Sequence, residues 1–368
     1  MNNTTQSLTA IALQKFKKNF WGVFSFAFIF ILVMVAIFAY VLAPDASKNA
    51  NQMHLSIHSK PPGFEVQMLA IPLEEKQKKQ FADYFFGQAN SATEIPISGY
   101  SLKEDAIVYT AYSDVPSLVI TKEVPLSAFL GLASTKQVAQ EYITKKTFYL
   151  GTDKYGRDLL SRMIIGSRVS ISIGVVAVVI SLIVGVFFGA IAGYFGGKID
   201  AFIMWIVTII WSIPTLLLVI AITLALGKGF WQVFVAVGLT MWVEVARVVR
   251  GQVISAKEMQ YVTAARALGF SDFRIVFNHI LPNIMAPVIV ISAANFASAI
   301  LVESGLSFLG LGAQPPIPSW GSIIKDHYSY IILGKPYLAM VPGLAIMALT
   351  LAFMMMGNAL RDALDVKQ

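Results

Sequence analysis

The residues that could do chemistry in this chain are few and scattered. Asp153 and Asp158 stand beside Arg157 and Arg162. Two carboxylates can ligate a metal ion, but with arginines so near they are read as helix caps and ion-pair partners. His54 and His58 are spaced for one helical face, yet they lie in a polar stretch and are read as solvated. Glu244 sits in an apolar segment, where a carboxylate is a functional suspect by default. Arg247, three residues on, offers it a local ion pair. A phosphate-binding loop would read G-x-x-x-x-G-K-[ST]. Instead, Gly196-Gly197-Lys198 is followed by Ile199, and Gly227-Lys228 by Gly229. H-E-x-x-H and G-x-S-x-G are also missing, so a membrane protease or lipase is not indicated. With no cysteine, no disulfide framework or thiolate metal site can form. No catalytic constellation and no metal site emerges.

The elements around these residues are apolar. Of 368 residues, 56% are hydrophobic and 13% charged, with a mean hydropathy of +0.67. A soluble domain carries about 25% charged residues, so this is a polytopic membrane protein. The net charge of +7 could suggest nucleic acid, but excess Lys and Arg also set membrane topology. We read it that way, with no nucleic-acid partner.

Residues 1–19 form a polar segment ending in Lys15, Lys17 and Lys18. Residues 20–43 carry no charge, enough for a first span, since about 20 apolar residues cross a bilayer. The apolar core of a cleaved signal peptide is shorter, about 7–15 residues. Further spans are expected near 171–194, 202–226, 231–249, 284–302 and 338–360. Pro214 should kink the third and Pro287 should break the fifth. Ser181, Gly185, Gly189 and Gly193 recur every four residues, leaving one face of the second span open to close helix packing. Residues 151–170 put Leu159, Leu160, Met163 and Ile164 on one face, the pattern of a helix lying in the membrane interface. Residues 303–336 are rich in Gly, Pro and aromatic residues and are read as an irregular external hairpin.

Residues 44–150 differ from the rest. They hold ten Lys and eleven Asp or Glu, and prolines at 61, 62, 72, 96, 116 and 125. Alternating runs at 64–71, 106–111 and 118–121 predict strands, and 74–86 predicts a helix. The segment is read as a small inserted α+β domain. Residues 151–368 then form the helical body, with a polar loop over 250–283.

Within that loop, residues 258–283 are amphipathic and carry Glu258, Arg266, Asp272, Arg274 and His279, so they cannot span a membrane. A helix over 261–268 is expected to end at Gly269 in the left-handed conformation. Ser271 is expected to cap a second short helix and Pro282 to end it.

The spacing of Ala264-Ala265, Gly269 and Leu281-Pro282 resembles the "EAA" loop of bacterial ABC-importer membrane subunits. Thr263 replaces the usual glutamate, and His279 a common isoleucine. AARALG and HILPN are similar to the peptide-permease branch, C-type subunit. So are Gly151, Thr152, Asp153, Gly156, Arg157, Asp158, Arg162 and Arg168, and the PSWG words near 318–321. The external insert departs from the pattern, because family members have a much shorter connection there.

The resemblance implies an all-α permease of six transmembrane helices, paired with a homologous second permease subunit. It implies a coupling helix, formed by Tyr261, Ala264, Ala265, Arg266, Gly269, Asp272, Arg274, Leu281 and Pro282, docked on cytoplasmic ATP-binding subunits. ATP and Mg would be bound there and not in this chain, which holds no cofactor. An extracytoplasmic binding protein would deliver a peptide or another small solute such as a nickel chelate. An ion-coupled secondary transporter is the alternative, but mid-membrane charge is scarce and no internal repeat shows. A surface receptor built on the insert would leave the coupling loop unexplained.

With a cytoplasmic amino terminus, inside segments carry Lys15, Lys17, Lys18, Lys198, Arg247, Arg250, Lys257, Arg266, Arg274, Arg361 and Lys367. Short outside loops carry Lys228, Lys325 and Lys335. Eleven against three predicts both termini and the coupling loop inside a bacterial inner membrane, with the insert and membrane lipid as its outer surroundings.

Overall fold

The computed structural model describes residues 8–73, 81–115, 117–129, 134–227 and 229–364. Its α-helices in chain order are α1 (Leu8–Lys18), α2 (Phe20–Ile37), α3 (Ala39–Leu42), α4 (Asp83–Phe86), α5 (Thr135–Tyr142), α6 (Leu159–Phe195) and α7 (Gly197–Ser212). They continue as α8 (Thr215–Leu226), α9 (Phe230–Lys257), α10 (Gln260–Ala267), α11 (Asp272–Arg274), α12 (Met285–Phe308), α13 (Trp320–His327) and α14 (Tyr337–Leu364). Among the described residues five helical segments are long and apolar enough to cross a membrane, and α7 with α8 makes a sixth if the bent pair is one span. Backbone groups in a bilayer must bond internally, which is why uncharged runs of this length become helices.

Four boundaries differ from the sequence expectation, each for a local reason. The interfacial helix at 151–170 and the span at 171–194 are one continuous helix, α6. No proline lies within it to break the run. The third span is not merely kinked: α7 and α8 meet at 96°. Pro214 lacks the N–H that would continue α7, and Ile213 before it is extended (φ −89°, ψ 130°). The fourth span continues to Lys257 as α9, so residues 250–257 are helix and not loop. The fifth runs to Phe308, and Pro287 does not break it. That proline is in the first turn of α12, where intrahelical N–H partners are lacking anyway. Glu303 and Gly305-Leu306-Ser307 therefore lie on α12 instead of in a hairpin.

The chain divides into two compact units. One holds Met1–Val33, Val169–Gln314 and Gly343–Gln368. Its core gathers Val245, Val249 and Val253 of α9 with Val262, Ala265, Ile275, Ile280 and Val288. The Ser181 to Gly193 stripe of α6 packs on α9. A Cβ on Gly185 would lie 2.5 Å from Val245 Cβ, and one on Gly193 2.8 Å from Val253 Cβ. Buried Ser181 returns its hydroxyl to Val178 O at 2.9 Å. Only residues without bulk permit this approach.

The other unit holds Met34–Arg168 and Pro315–Pro342. It contains a five-stranded antiparallel sheet in the order β4-β3-β2-β1-β5. The strands are β1 (Phe64–Pro72), β2 (Ala92–Leu102), β3 (Ala106–Ala111), β4 (Thr121–Pro125) and β5 (Ile143–Phe148). Leu69, Ile97, Ile107 and Val124 meet Val138 and Tyr142 of α5 in its core. The strand expected at 118–121 begins instead at Thr121, and exposed Leu118 and Val119 precede it. Of the helix expected at 74–86, α4 is present; residues 74–80 lie outside the described residues. His54 and His58 flank a 3-10 turn and do not share an α-helical face, and His54 is buried rather than solvated.

Candidate functional site

The loop between α9 and α12 is built around Gly269. This residue has φ +74° and directs the chain out of α10. Its N–H donates to Arg266 O at 2.9 Å, and the Phe270 N–H donates to Ala265 O at 3.1 Å. These two bonds form a Schellman cap, which satisfies carbonyls that the helix end leaves free. Beyond it the expectation of a second capped helix fails. Ser271 makes no side-chain cap bond and α11 is three residues long. Pro282 does not stop the chain either. A π-helical turn (Ile275–Ile280) and a 3-10 turn (Leu281–Ile284) carry it into α12. Pro282 lies at the start of that 3-10 turn, where the missing N–H costs little.

One face of the loop is bound to the helical body. Val262 and Ala265 are buried beside Val253 and Ala256. Tyr194, at the end of α6, donates its hydroxyl to Asp272 Oδ1 at 2.6 Å and lies under the Arg266 guanidinium, 5.5 Å from the ring centroid. Lys257 Nζ donates to the Tyr194 carbonyl at 2.7 Å. Before the loop, Arg250 of α9 holds Asp200 of α7 by two bonds, 2.5 and 2.6 Å long. Arg274 lies over Phe270, which stacks on His279. Ala264 and Leu281 complete the expected set.

The loop also carries exposed apolar side chains: Leu268 is 73% and Phe273 71% accessible, and Met259, Tyr261 and Phe277 are exposed too, with Phe273 and Phe277 lining an apolar cavity beside Ile183, Phe187 and Phe195 of α6. Phe273 and Phe277 stack with centroids 4.3 Å apart. A rigid tip bearing large exposed apolar groups is a surface made to be covered. Tyr194, Lys257 and Phe273 were not singled out from the sequence. A tyrosine at the polar end of a small-residue stripe is the signal that marks Tyr194.

The motif before the second span is a structural staple. Asp153 is wholly buried and accepts from the Tyr155 amide (2.8 Å), the Arg157 amide (3.0 Å) and Arg157 Nε (2.6 Å), with Arg162 Nε at 3.6 Å. Removing one member of such a buried pair costs about 3–5 kcal/mol. Asp158 caps α6, accepting from the Ser161 amide at 2.9 Å and from its hydroxyl. Burial pushes the Asp158 carboxyl up, while the bonds from Ser161 pull it down. The Thr152 hydroxyl donates to Ile57 O at 2.5 Å and accepts from Lys60 N at 2.9 Å. Arg168 Nη1 donates to Phe85 O at 2.5 Å. Gly151 and Gly156 both have positive φ, and a Cβ on either would strike a carbonyl, of Lys60 or His54. Trp320 of α13 donates to Met163 O at 2.9 Å.

Glu244 and Arg247 do not pair. Arg247 lies over the Trp211 ring, 3.7 Å from its centroid, and both side chains are exposed.

The family model for the binding-protein-dependent transport system inner membrane component matches residues 185–367. The model for the N-terminal TM domain of oligopeptide transport permease C matches residues 7–62. A dipeptide transport system permease protein, DppC, of Alkalihalophilus pseudofirmus is 38% identical over 68% of this chain and 84% of its own. The chain belongs to this permease family. Within it, it is a C-type permease of the peptide ABC-importer branch, a family of membrane permease subunits rather than ATPases. The oligopeptide permease OppC of Bacillus subtilis is 37% identical over 66% of this chain and 79% of its own. A chain of the inward-facing MetNI methionine ABC transporter aligns with 56% of this permease and 97% of its own length, at 17% identity and a TM-score of 0.47.

Proposed function

We propose that this permease subunit lines the path of an ATP-driven importer for peptides, together with a homologous second permease subunit. ATP-binding subunits, which carry the ATP and Mg, receive the tip formed by α10 and α11 in a groove. A binding protein delivers the solute on the side of the insert, and both termini lie on the ATPase side.

The reading rests on the loop that carries this tip. Val262 and Ala265 anchor it in the core, while Leu268 and Phe273 project from it. The hydrogen bond from Tyr194 to Asp272 joins it to α6, and Lys257 at the end of α9 bonds the Tyr194 carbonyl. A displacement imposed on the tip is thereby passed to α6 and α9 as a rigid motion. Differential binding of the ATPase to two loop positions biases the equilibrium between inward- and outward-open states. The peptide assignment is supported by the dipeptide and oligopeptide permeases among its relatives.

The test is co-purification of the ATPase with Leu268→Asp and Phe273→Asp permeases at equal membrane abundance. Loss of the ATPase and of peptide uptake is expected. Wild-type recovery of both would remove the coupling role.

A further inference from the structure

Glu244 lies at the middle of α9, roughly 21 Å from Phe230 and 20 Å from Lys257 at 1.5 Å per residue. At roughly 42 Å, α9 is longer than the hydrocarbon core of about 30 Å and runs past it; with Arg247 on the cytoplasmic side, Glu244 stands within the span toward its cytoplasmic end. The side chain is exposed, and among the described residues no cation pairs with it. Arg247, the nearest candidate in sequence, is held on Trp211. A carboxylate at this depth does not face lipid, because an intramembrane charge faces a watery cavity or a protein partner.

The structure supplies such a cavity. The 96° bend between α7 and α8 opens a space of about 170 Å³ against α9 and α12. Glu244 lines it together with Trp211, Thr215, Thr240 and Ser298. The Thr240 hydroxyl donates to Val237 O at 2.8 Å and keeps lone pairs for a visiting donor. The cavity wall thus carries a carboxylate with no ion pair among the described residues and three hydroxyls, with Arg247 held at its edge over Trp211. That is a site for a small cation bearing N–H donors, such as a primary ammonium.

We infer that Glu244 is a wetted carboxylate on the translocation path, holding the terminal ammonium of a peptide as it passes. This rests on the importer reading above and adds a solute contact within it. Selection by charge here acts on the solute after its delivery, in the membrane.

The chain has no cysteine, so single thiols report cleanly for this subunit. Ser298→Cys importer, assembled with its partners in nanodiscs, is treated with cationic MTSET and anionic MTSES. Rates are normalised to those of free 2-mercaptoethanol. A preference for the cation of about tenfold or more is expected, as a like-signed cleft concentrates counter-ions. It should vanish in Ser298→Cys/Glu244→Gln. Millimolar Ala-Ala should slow labelling with Glu244 present, and N-acetyl-Ala-Ala should not.

An unreactive thiol would place the face against lipid or against a basic group of the second subunit, and overturn the inference. So would equal normalised rates, or protection that survives Glu244→Gln. Each sample is also scored for co-purified ATPase. If ATPase recovery is unchanged, the inference fails alone; the importer reading fails only in the Leu268→Asp and Phe273→Asp test.

Discussion

The Tyr194 hydroxyl donates to Asp272 Oδ1 at 2.6 Å, joining the last turn of α6 to the first residue of α11. Seventy-eight residues separate the two. Tyr194 is 4% accessible, and the same residue accepts Lys257 Nζ at its carbonyl. The end of one spanning helix therefore carries both sides of the coupling loop.

Tyr194→Phe keeps the ring and removes the donor. A hydrogen bond to a charged group contributes about 1.5–3 kcal/mol. That is too little to unfold the packed helices but enough to loosen the loop. We expect normal membrane levels, reduced peptide uptake and ATP hydrolysis less responsive to the binding protein. Uptake and stimulated hydrolysis at wild-type levels would show that the bond does not transmit motion.

Gly269 has open space around its missing Cβ, so its constraint is the backbone angle alone. Gly269→Val should cost about 1–2 kcal/mol in the left-handed region. Gly269→Asn, which tolerates that region, should cost less. Uptake should fall steeply in the first and modestly in the second. Equal losses would point to sterics instead of φ.

Gly189 faces α9 so closely that a Cβ would lie 2.5 Å from Ala246 O and 2.9 Å from Val249 Cβ. Overpacking costs about 1–3 kcal/mol where neighbours can adjust, and here one neighbour is backbone. Gly189→Leu should lower the thermal stability of the purified subunit and its recovery in the assembled importer. Gly196→Leu is a poor control because of its positive φ; Gly343→Leu, in open space, should be mild.

Orientation can be read with single thiols. Ser117→Cys, exposed before β4, should react with an impermeant reagent in intact cells. Ser271→Cys, exposed in the loop, should react only after permeabilisation. Labelling of Ser271→Cys in intact cells would reverse the topology.

The insert should weaken in mild acid. Burial pushes the His54 imidazole below its ordinary range, against the opposing pull of Glu94 at 3.7 Å. Above about pH 6.5 the ring is neutral folded and unfolded, and no penalty arises. As pH falls below that, the unfolded chain takes the proton first, so stability drops. The full-length protein should lose Tm between pH 7 and 5.5, and His54→Gln should flatten part of that slope. An unchanged slope in the variant would assign the acid sensitivity elsewhere, with buried His327 the next candidate.

Much of this was legible in the chain itself. Uncharged runs become spanning helices because a bilayer leaves backbone groups no other partner. Gly269 marks a helix end because a left-handed angle costs glycine little. The four-residue recurrence from Ser181 to Gly193 announces close packing because such residues share one helical face. Which helix fills that face is another matter. Val245, Val249 and Val253 meet the stripe through a register on α9 that no local pattern encodes. In the same way, Tyr194 finds Asp272, and Arg247 leaves Glu244 for Trp211. Each pairing depends on where distant segments are brought by packing. Local spacing offered Arg247 to Glu244; the packing of α7 on α9 put the Trp211 ring within reach of it, and tertiary structure decided between them.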